Sequence, residues 1–192
     1  TYIGQVEFGV GVVPAGGGCK ELLRRKVNPV MKTANADVLP VMQETFEMIA
    51  LAKVATSAWE GKAMGFFAEE AIIEMNQDHL LARAKQRALQ LVGSGVRPPE
   101  VEKIFAAGRD TYYAMLMAVQ GLQWGGYASE HDALIAKKIA YILSGGDISA
   151  PAWVDPWVIL DLEREAFLSL LGEQKTIERI MHMLQTGKPL RN

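Results

Sequence analysis

The sequence predicts an α/β protein in which a short strand segment comes first and helices form most of the rest. Three observations support this prediction. Apolar residues dominate the stretch up to Val13, and Pro14 and the glycines at 16–18 then mark a tight turn. From residue 41 onward, apolar residues recur at the spacing of a helix. Short polar residues stand where several of these segments begin, as is typical of helix N-termini.

The elements can be placed in order along the chain. Residues 1–15 are predicted to form a strand that ends in the glycine-rich turn. Three later segments have clear start signals: Asn76 as a cap, Ser129-x-x-Asp132 as a capping box, and an Asp-Pro pair at 155–156. The periodic segments predict helices at residues 41–54, 76–91, 111–124, 129–143, 155–171 and 176–184.

The composition between residues 93 and 99 suggests a division of the chain. Glycine, serine and two prolines lie close together there, as is typical of a linker. We therefore predict one unit at residues 1–95 and a helical unit at residues 96–192. A short apolar run at 71–75 is a strand candidate within the first unit. The hydrophobic content of 49% is sufficient for a substantial core.

Charge and cysteine content limit the function classes. The net charge of −2 gives no argument for binding to nucleic acid or to an anionic membrane surface. No uninterrupted apolar run of about 18 residues appears, so no membrane span is predicted. The lone cysteine, Cys19, cannot form an internal disulfide, which favours a reducing compartment and a cytoplasmic location. We expect Cys19 to be a small residue at a helix start and not a nucleophile.

The candidate catalytic group is Glu7, which stands before an apolar run and a glycine-dense turn. Glycine lets backbone N–H groups approach a ligand closely. The glycines at 16–18 nevertheless lack the spacing of a dinucleotide fingerprint and of a phosphate loop. On the residues alone, Glu7 alternates with Val6 and Phe8, which favours a solvent-facing side chain on a half-buried strand.

Structural roles are expected for several other groups. The three histidines form no ligand pair with one another, so no metal site is predicted and surface or capping positions are expected. They are His79, His131 and His182. Met115 and Met117 could line an acyl pocket, although plain core or a subunit interface is the favoured alternative. A solvated or ion-paired helix edge is expected at Asp161, Glu163, Arg164 and Glu165.

The order Gly4, Glu7, Gly11, Pro14 and the glycines at 16–18 forms a compact motif. It resembles the second active-site segment of the crotonase (enoyl-CoA hydratase/isomerase) superfamily. The far part of the chain resembles the end of bacterial polypeptides that join a 3-hydroxyacyl-CoA dehydrogenase to an enoyl-CoA hydratase domain. This second resemblance is carried by residues 127–132, 144–147, 161–168, 175–180 and 187–192.

The resemblance implies a crotonase-like spiral of ββα units, of which this chain is the mostly helical C-terminal half. It also implies the enoyl-CoA hydratase part of a multifunctional enzyme of fatty-acid β-oxidation, a lyase that adds water to a trans-2-enoyl-CoA. Glu7 is then one of the catalytic carboxylates, and Pro14, Ala15, Gly16 and Gly17 bind the acyl-CoA substrate. Ala15 departs from the family pattern, because many relatives carry glycine at that position.

The resemblance also implies partners outside the chain. No cofactor is assigned to these residues, and NAD is expected in a dehydrogenase region upstream. The remainder of the same polypeptide is the expected partner, and it would supply a second catalytic glutamate, so the isolated chain is expected to be inactive. Two alternatives stay open: a double-bond isomerase on the same fold, and a non-catalytic helical packing or oligomerisation module. Association into a homo-oligomer also stays open.

Overall fold

The computed structural model describes residues 2–192, of which about 60% lie in helices. The α-helices are α1 (Gly18–Leu22), α2 (Asn28–Met31), α3 (Val38–Ala50), α4 (Ala58–Ala63), α5 (Leu80–Gly93), α6 (Gly108–Trp124), α7 (Glu130–Leu143), α8 (Pro156–Leu171) and α9 (Gln174–Thr186). The strands are β1 (Ile3–Gly4), β2 (Val54–Ala55), β3 (Ile104–Ala106) and β4 (Ala152–Val154). A π-helical segment, Leu23–Val27, joins α1 to α2.

The strands form two small antiparallel sheets. Strand β1 pairs with β2, with Ile3 opposite Ala55, and β3 pairs with β4, with Ile104 opposite Val154. Each sheet has two strands, so residues 2–192 contain no succession of ββα units. The prediction of a crotonase-like spiral is therefore wrong, and the described fold is a helical domain with two short β-ladders.

The first fifteen residues differ most from the prediction. The strand ends at Gly4, and the backbone then turns through a 3-10 helix at Glu7–Val10. Gly11 follows with a φ of +90°, a left-handed conformation that glycine adopts without steric cost. A Cβ atom built at Gly11 would lie 3.1 Å from the Cα of Thr176, so α9 also packs closely against this position. The turn replaces the predicted strand because glycine here permits both the reversal and the close contact.

The helices of the first half are partly as predicted. Helix α3 begins after Asp37, whose side chain accepts a hydrogen bond from the Leu39 N–H at 2.9 Å. It ends before Ala52, which takes a left-handed φ of 48° and leads the chain into β2. The helix predicted at 76–91 is confirmed as a 3-10 turn at Gln77–His79 followed by α5. The strand predicted at 71–75 is wrong, since no strand pairing occurs there.

The helix-start signals of the second half are confirmed. Ser129 and Asp132 form both hydrogen bonds of a capping box at the start of α7. Asp155 accepts a hydrogen bond from the Trp157 N–H at 2.8 Å, with Pro156 as the first residue of α8. Gly187 closes α9 in a left-handed conformation. Local side-chain chemistry therefore fixes these boundaries.

One hydrophobic core collects side chains from both sides of residue 95. Phe46 and Ile49 of α3 lie in it together with Ile135 and Ile139 of α7, and Ile159 comes from α8. The division of the chain into units at 1–95 and 96–192 stays a prediction. In the part of the chain that the structure describes, no helix has the length and apolar character needed to cross a membrane.

Helix α6 exposes one side to solvent. Met115 is fully buried, in line with a core role, whereas Met117 is exposed. Tyr113 and Trp124 are exposed as well, so the two methionines do not line one common pocket. The apolar sequence of α6 therefore serves the core on one side and leaves large side chains at the surface on the other.

The positive φ of Gly11 leads to the first testable prediction. Gly11→Ala should lower the free energy of unfolding by about 1–3 kcal/mol, because alanine is strained in this conformation and its Cβ would press on α9. Urea denaturation followed by circular dichroism measures the loss. Gly9→Ala is the matched control, because a Cβ at Gly9 meets no atom within 4 Å. Equal stability of the two variants would contradict the assigned close packing.

Candidate functional site

A groove lies between the glycine-rich turn and α8. It has a volume of about 670 Å³ and brings Glu7, Ala15 and Gly16 from the predicted site to one place. Most of the remaining wall comes from α8 and is apolar, with two charged residues at its edge. The other lining residues are Val13, Trp157, Leu160, Asp161, Arg164, Phe167 and Leu168.

The other two predicted site residues lie behind the groove wall. Pro14 is buried, and its carbonyl oxygen lies 4.0 Å from the Sγ of Cys19. Gly17 is also buried and precedes α1 with a left-handed φ of +93°. The turn therefore exposes Ala15 and Gly16 to the groove and uses Pro14 and Gly17 to hold its shape. Binding roles for these residues stay predictions.

Glu7 begins the 3-10 turn and is half-buried. Its backbone oxygen accepts a hydrogen bond from the Val12 N–H at 3.2 Å, which fixes the position of the residue. The Oε2 atom of Glu7 is buried and has no hydrogen-bond partner among residues 2–192. A buried carboxylate oxygen without a donor is costly, and in this position the atom has no surface open to a ligand in the groove. A catalytic role for Glu7 stays a prediction.

The charged residue that shapes the site is Glu163, which lies fully buried on α8. Its carboxylate accepts hydrogen bonds from the Gly17 N–H at 2.7 Å and from the Lys20 N–H at 2.8 Å. Burial raises the pKa of Glu163, and the backbone hydrogen bonds from Lys20 and Gly17 oppose that rise in part. These bonds cap the start of α1 with a side chain distant in sequence.

The expectation that Glu163 lies at a solvated helix edge is wrong. The expectation holds for its neighbours, because Asp161 and Arg164 form an exposed ion pair of 2.8 Å. A signal for the burial of Glu163 was present in the sequence. Ile159, Ala166 and Leu170 are the other buried residues of α8, and their spacing places Glu163 on the same helical stripe.

Cys19 lies at the start of α1, as predicted, and is fully buried. Burial raises the pKa of its thiol well above the usual value, and the negative charges of Glu163 and Glu7 raise it further. The thiolate that a nucleophile requires is therefore disfavoured, so the structure supports the packing role.

A second layer of buried polar groups supports the groove from α9. The Oγ1 of Thr176 donates a hydrogen bond to the Gly11 carbonyl oxygen at 2.8 Å and lies 2.9 Å from the Nε2 of His131. Arg179 is fully buried and donates a hydrogen bond to the Oδ1 of Asp132 at 2.8 Å. The expectation of a surface or capping position for His131 is wrong, because its ring is buried beneath the 3-10 turn.

The charges and burial of this cluster shift the pKa values of two of its members, Asp132 and His131. Burial opposes the charge of Asp132, but the hydrogen bond and charge of Arg179 outweigh it and lower the pKa of Asp132. Burial lowers the pKa of His131, and the nearby positive charge of Arg179 acts in the same direction. Residues 2–192 contain no group of three side chains placed to hold a metal ion.

The Glu163 cap can be tested by removing its charge. Glu163→Gln should lower the free energy of unfolding by about 1–3 kcal/mol, because the amide NH₂ replaces one acceptor and leaves a buried N–H unpaired. Thermal unfolding measures the effect. Glu165→Gln on the exposed side of α8 is the matched control and should change stability little. A Glu163→Gln variant as stable as this control would rule out the cap.

Comparison with known proteins overturns part of what the resemblance implied. The chain is 47% identical over all 192 residues to a protein of Bacillus subtilis (strain 168) named "Probable 3-hydroxyacyl-CoA dehydrogenase". It spans 24% of the length of that relative. No family model and no solved structure matches the chain.

These findings correct the predicted activity. The relative carries the name of a dehydrogenase, an oxidoreductase, so the prediction of an enoyl-CoA hydratase and of a lyase is wrong. Membership of the crotonase superfamily has no support either, in agreement with the two short sheets of the fold. One part of the prediction is confirmed, namely the similarity to a 3-hydroxyacyl-CoA dehydrogenase. All 192 residues of this chain match one region of that longer protein.

Proposed function

We propose that this chain is one region of an NAD-dependent 3-hydroxyacyl-CoA dehydrogenase of fatty-acid β-oxidation, and that it binds the acyl part of the substrate in the groove beside α8. The observation that carries the proposal is 47% identity along the whole chain to the dehydrogenase of Bacillus subtilis. Identity of this extent is consistent with a shared role for the matched region. Because the match covers 24% of that relative, the complete reaction is assigned to the longer polypeptide.

NAD does not fit the glycine-rich turn of this chain. A dinucleotide pyrophosphate binds where free N–H groups at a helix N-terminus point toward it. Here the N–H groups of Gly17 and Lys20 already donate to the carboxylate of Glu163, whose charge would repel a phosphate. We therefore assign NAD binding to the polypeptide outside this chain and derive no hydride step here.

The groove has the composition that an acyl chain requires. Leu160, Phe167 and Leu168 of α8 provide apolar surface, and Ala15 faces them from the glycine-rich turn. Each methylene group transferred from water to such a surface contributes about 0.8 kcal/mol. A medium-length acyl chain can therefore be held by apolar contact alone, with polar groups needed only to orient the thioester end.

Glu7 is the polar group that distinguishes this groove. Glu7 lines the groove, and no residue among 2–192 donates a hydrogen bond to its buried Oε2 atom. Rotation of the carboxylate toward the groove would let it accept a hydrogen bond from the 3-hydroxyl of a 3-hydroxyacyl thioester. A hydrogen bond to a carboxylate contributes about 1.5–3 kcal/mol. We propose that Glu7 accepts this bond and so selects 3-hydroxyacyl substrates over saturated ones. Pro14, Ala15, Gly16 and Gly17 then shape the wall next to it.

The remaining expectations about setting belong to the same proposal. The buried thiol of Cys19 supports a reducing compartment, and we propose a cytoplasmic location. The proposed partners are an acyl-CoA and the rest of the same polypeptide. Association of several copies stays a prediction.

Trp157 provides a direct measure of acyl binding because it lines the groove and is exposed. We expect 3-hydroxydecanoyl-CoA to change its fluorescence, and coenzyme A alone to have little effect. Leu168→Glu should raise the dissociation constant about tenfold or more, since a charge replaces an apolar wall. Leu184→Glu is the matched control, an exposed leucine of α9 outside the groove. Equal affinities of the two variants would contradict binding in this groove.

Glu7→Gln tests the selection of the hydroxyl group. The variant keeps the shape of the side chain but loses the charged acceptor. The preference for 3-hydroxydecanoyl-CoA over decanoyl-CoA should fall by about tenfold, while decanoyl-CoA affinity should change little. Competition titrations with the two ligands measure this ratio. An unchanged ratio would remove Glu7 from the proposed site and leave the apolar groove in place.

A further inference from the structure

Helix α5 stands apart from the core. None of its 14 residues is buried. Within residues 2–192, its main packing partner is its own leading turn at Gln77–His79. Leu81 is 82% exposed and Val92 is 77% exposed, although both side chains are large and apolar. An isolated helix of this length is only marginally stable in water, so docking of α5 onto a further surface would add to its stability.

Most apolar residues of α5 lie on one face, and the exposed Leu89 is outside it. Helical spacing places Leu80, Leu81, Ala84, Ala88, Leu91 and Val92 within about 120° of one another around the axis. We call these six residues the α5 face. Isolated exposed leucines are common on protein surfaces, whereas a contiguous apolar stripe along a whole helix marks an interaction site.

The charges beside the α5 face select its partner. The helix contains Arg83, Lys85 and Arg87 and no acidic residue. Arg83 is paired with Glu74 at 2.9 Å, while Lys85 and Arg87 flank the face and form no ion pair in the described chain. Two copies of α5 packed face to face would bring these cations together, which disfavours self-association. An apolar surface with carboxylates at its edge is complementary.

The centre of the α5 face argues against a lipid surface. Helices that lie in a membrane interface carry Trp, Phe or Leu along the buried side. Here the leucines of the α5 face lie toward its edges, Ala84 and Ala88 occupy the centre, and the helix has no aromatic residue. Small residues at the centre let another protein element approach closely and provide little area for insertion among acyl chains. The face is therefore shaped for a protein partner.

The length of the relative indicates where that partner lies. This chain spans 24% of the matched dehydrogenase, so about three times as much polypeptide lies outside the matched region. We propose that the α5 face docks onto an apolar, acid-rimmed surface in the part of the complete polypeptide outside residues 1–192. This inference uses the surface of α5 alone and does not depend on the acyl groove.

Hydrogen exchange measured by mass spectrometry tests the docking. The complete gene product and the 192-residue chain are compared, and peptides that cover residues 80–93 should be protected about tenfold or more in the complete product. A Leu81→Glu and Val92→Glu double variant should lose this protection. Gln86→Glu with Gln90→Glu, on the opposite side of α5, adds the same charge and should retain most of it.

The other outcomes of these experiments overturn the proposal, once unfolding of the double variant has been excluded. The control for unfolding is the circular dichroism of the double variant in the 192-residue chain. It should be unchanged, because the α5 face is exposed in that chain, and a loss of protection then reports lost docking. Equal exchange in both proteins, or a gene product that consists of these 192 residues alone, contradicts docking within the polypeptide. A dimer of the 192-residue chain that Leu81→Glu disrupts would identify a second copy as the occupant. Binding to phosphatidylglycerol vesicles would identify a membrane surface instead.

Discussion

The contact on which the site depends is the one between the buried carboxylate of Glu163 and the N–H groups of Gly17 and Lys20. It joins two segments that are more than 140 positions apart in the chain. A short helix such as α1 has unpaired N–H groups at its start, and their burial would be costly without an acceptor. Because the acceptor comes from α8, the glycine-rich turn and α8 are held side by side. The groove is the space that remains between them.

A second buried charge supports the same turn from the opposite side. Arg179 cannot lose its proton, so its burial requires acceptors close by. Asp132 and the side chain of Asn192 supply them, each at 2.8 Å. Thr176, one turn earlier on α9, donates to the Gly11 carbonyl oxygen. The position of Glu7 thus follows from tertiary contacts of α8 and α9 and owes little to local strand propensity.

The helices could be predicted from the sequence because their boundaries are local. A capping box such as Ser129 with Asp132 contains its own partners within one turn. The buried charges could not be predicted in this way. The charged neighbours of Glu163 on α8 are exposed, and they suggested the same for Glu163. Only its position on the helical stripe of buried apolar residues indicated that it is buried. The fold class was wrong because a short motif around Glu7 was extended to a whole architecture. The same glycines that suggested a strand end permit a 3-10 turn.

The groove and the α5 face are both exposed apolar surfaces, but they differ in the polar groups beside them. In the groove, Leu160 and Phe167 are partly covered, and Glu7 lines the same concave surface. A polar group is therefore available to orient a small molecule. The α5 face has alanines at its centre and is flanked by cations, which suits a large complementary surface. Apolar exposure alone does not distinguish a ligand from a protein partner. The kind and placement of the nearest charges do distinguish the two, and on this chain they assign different occupants to the groove and to the α5 face.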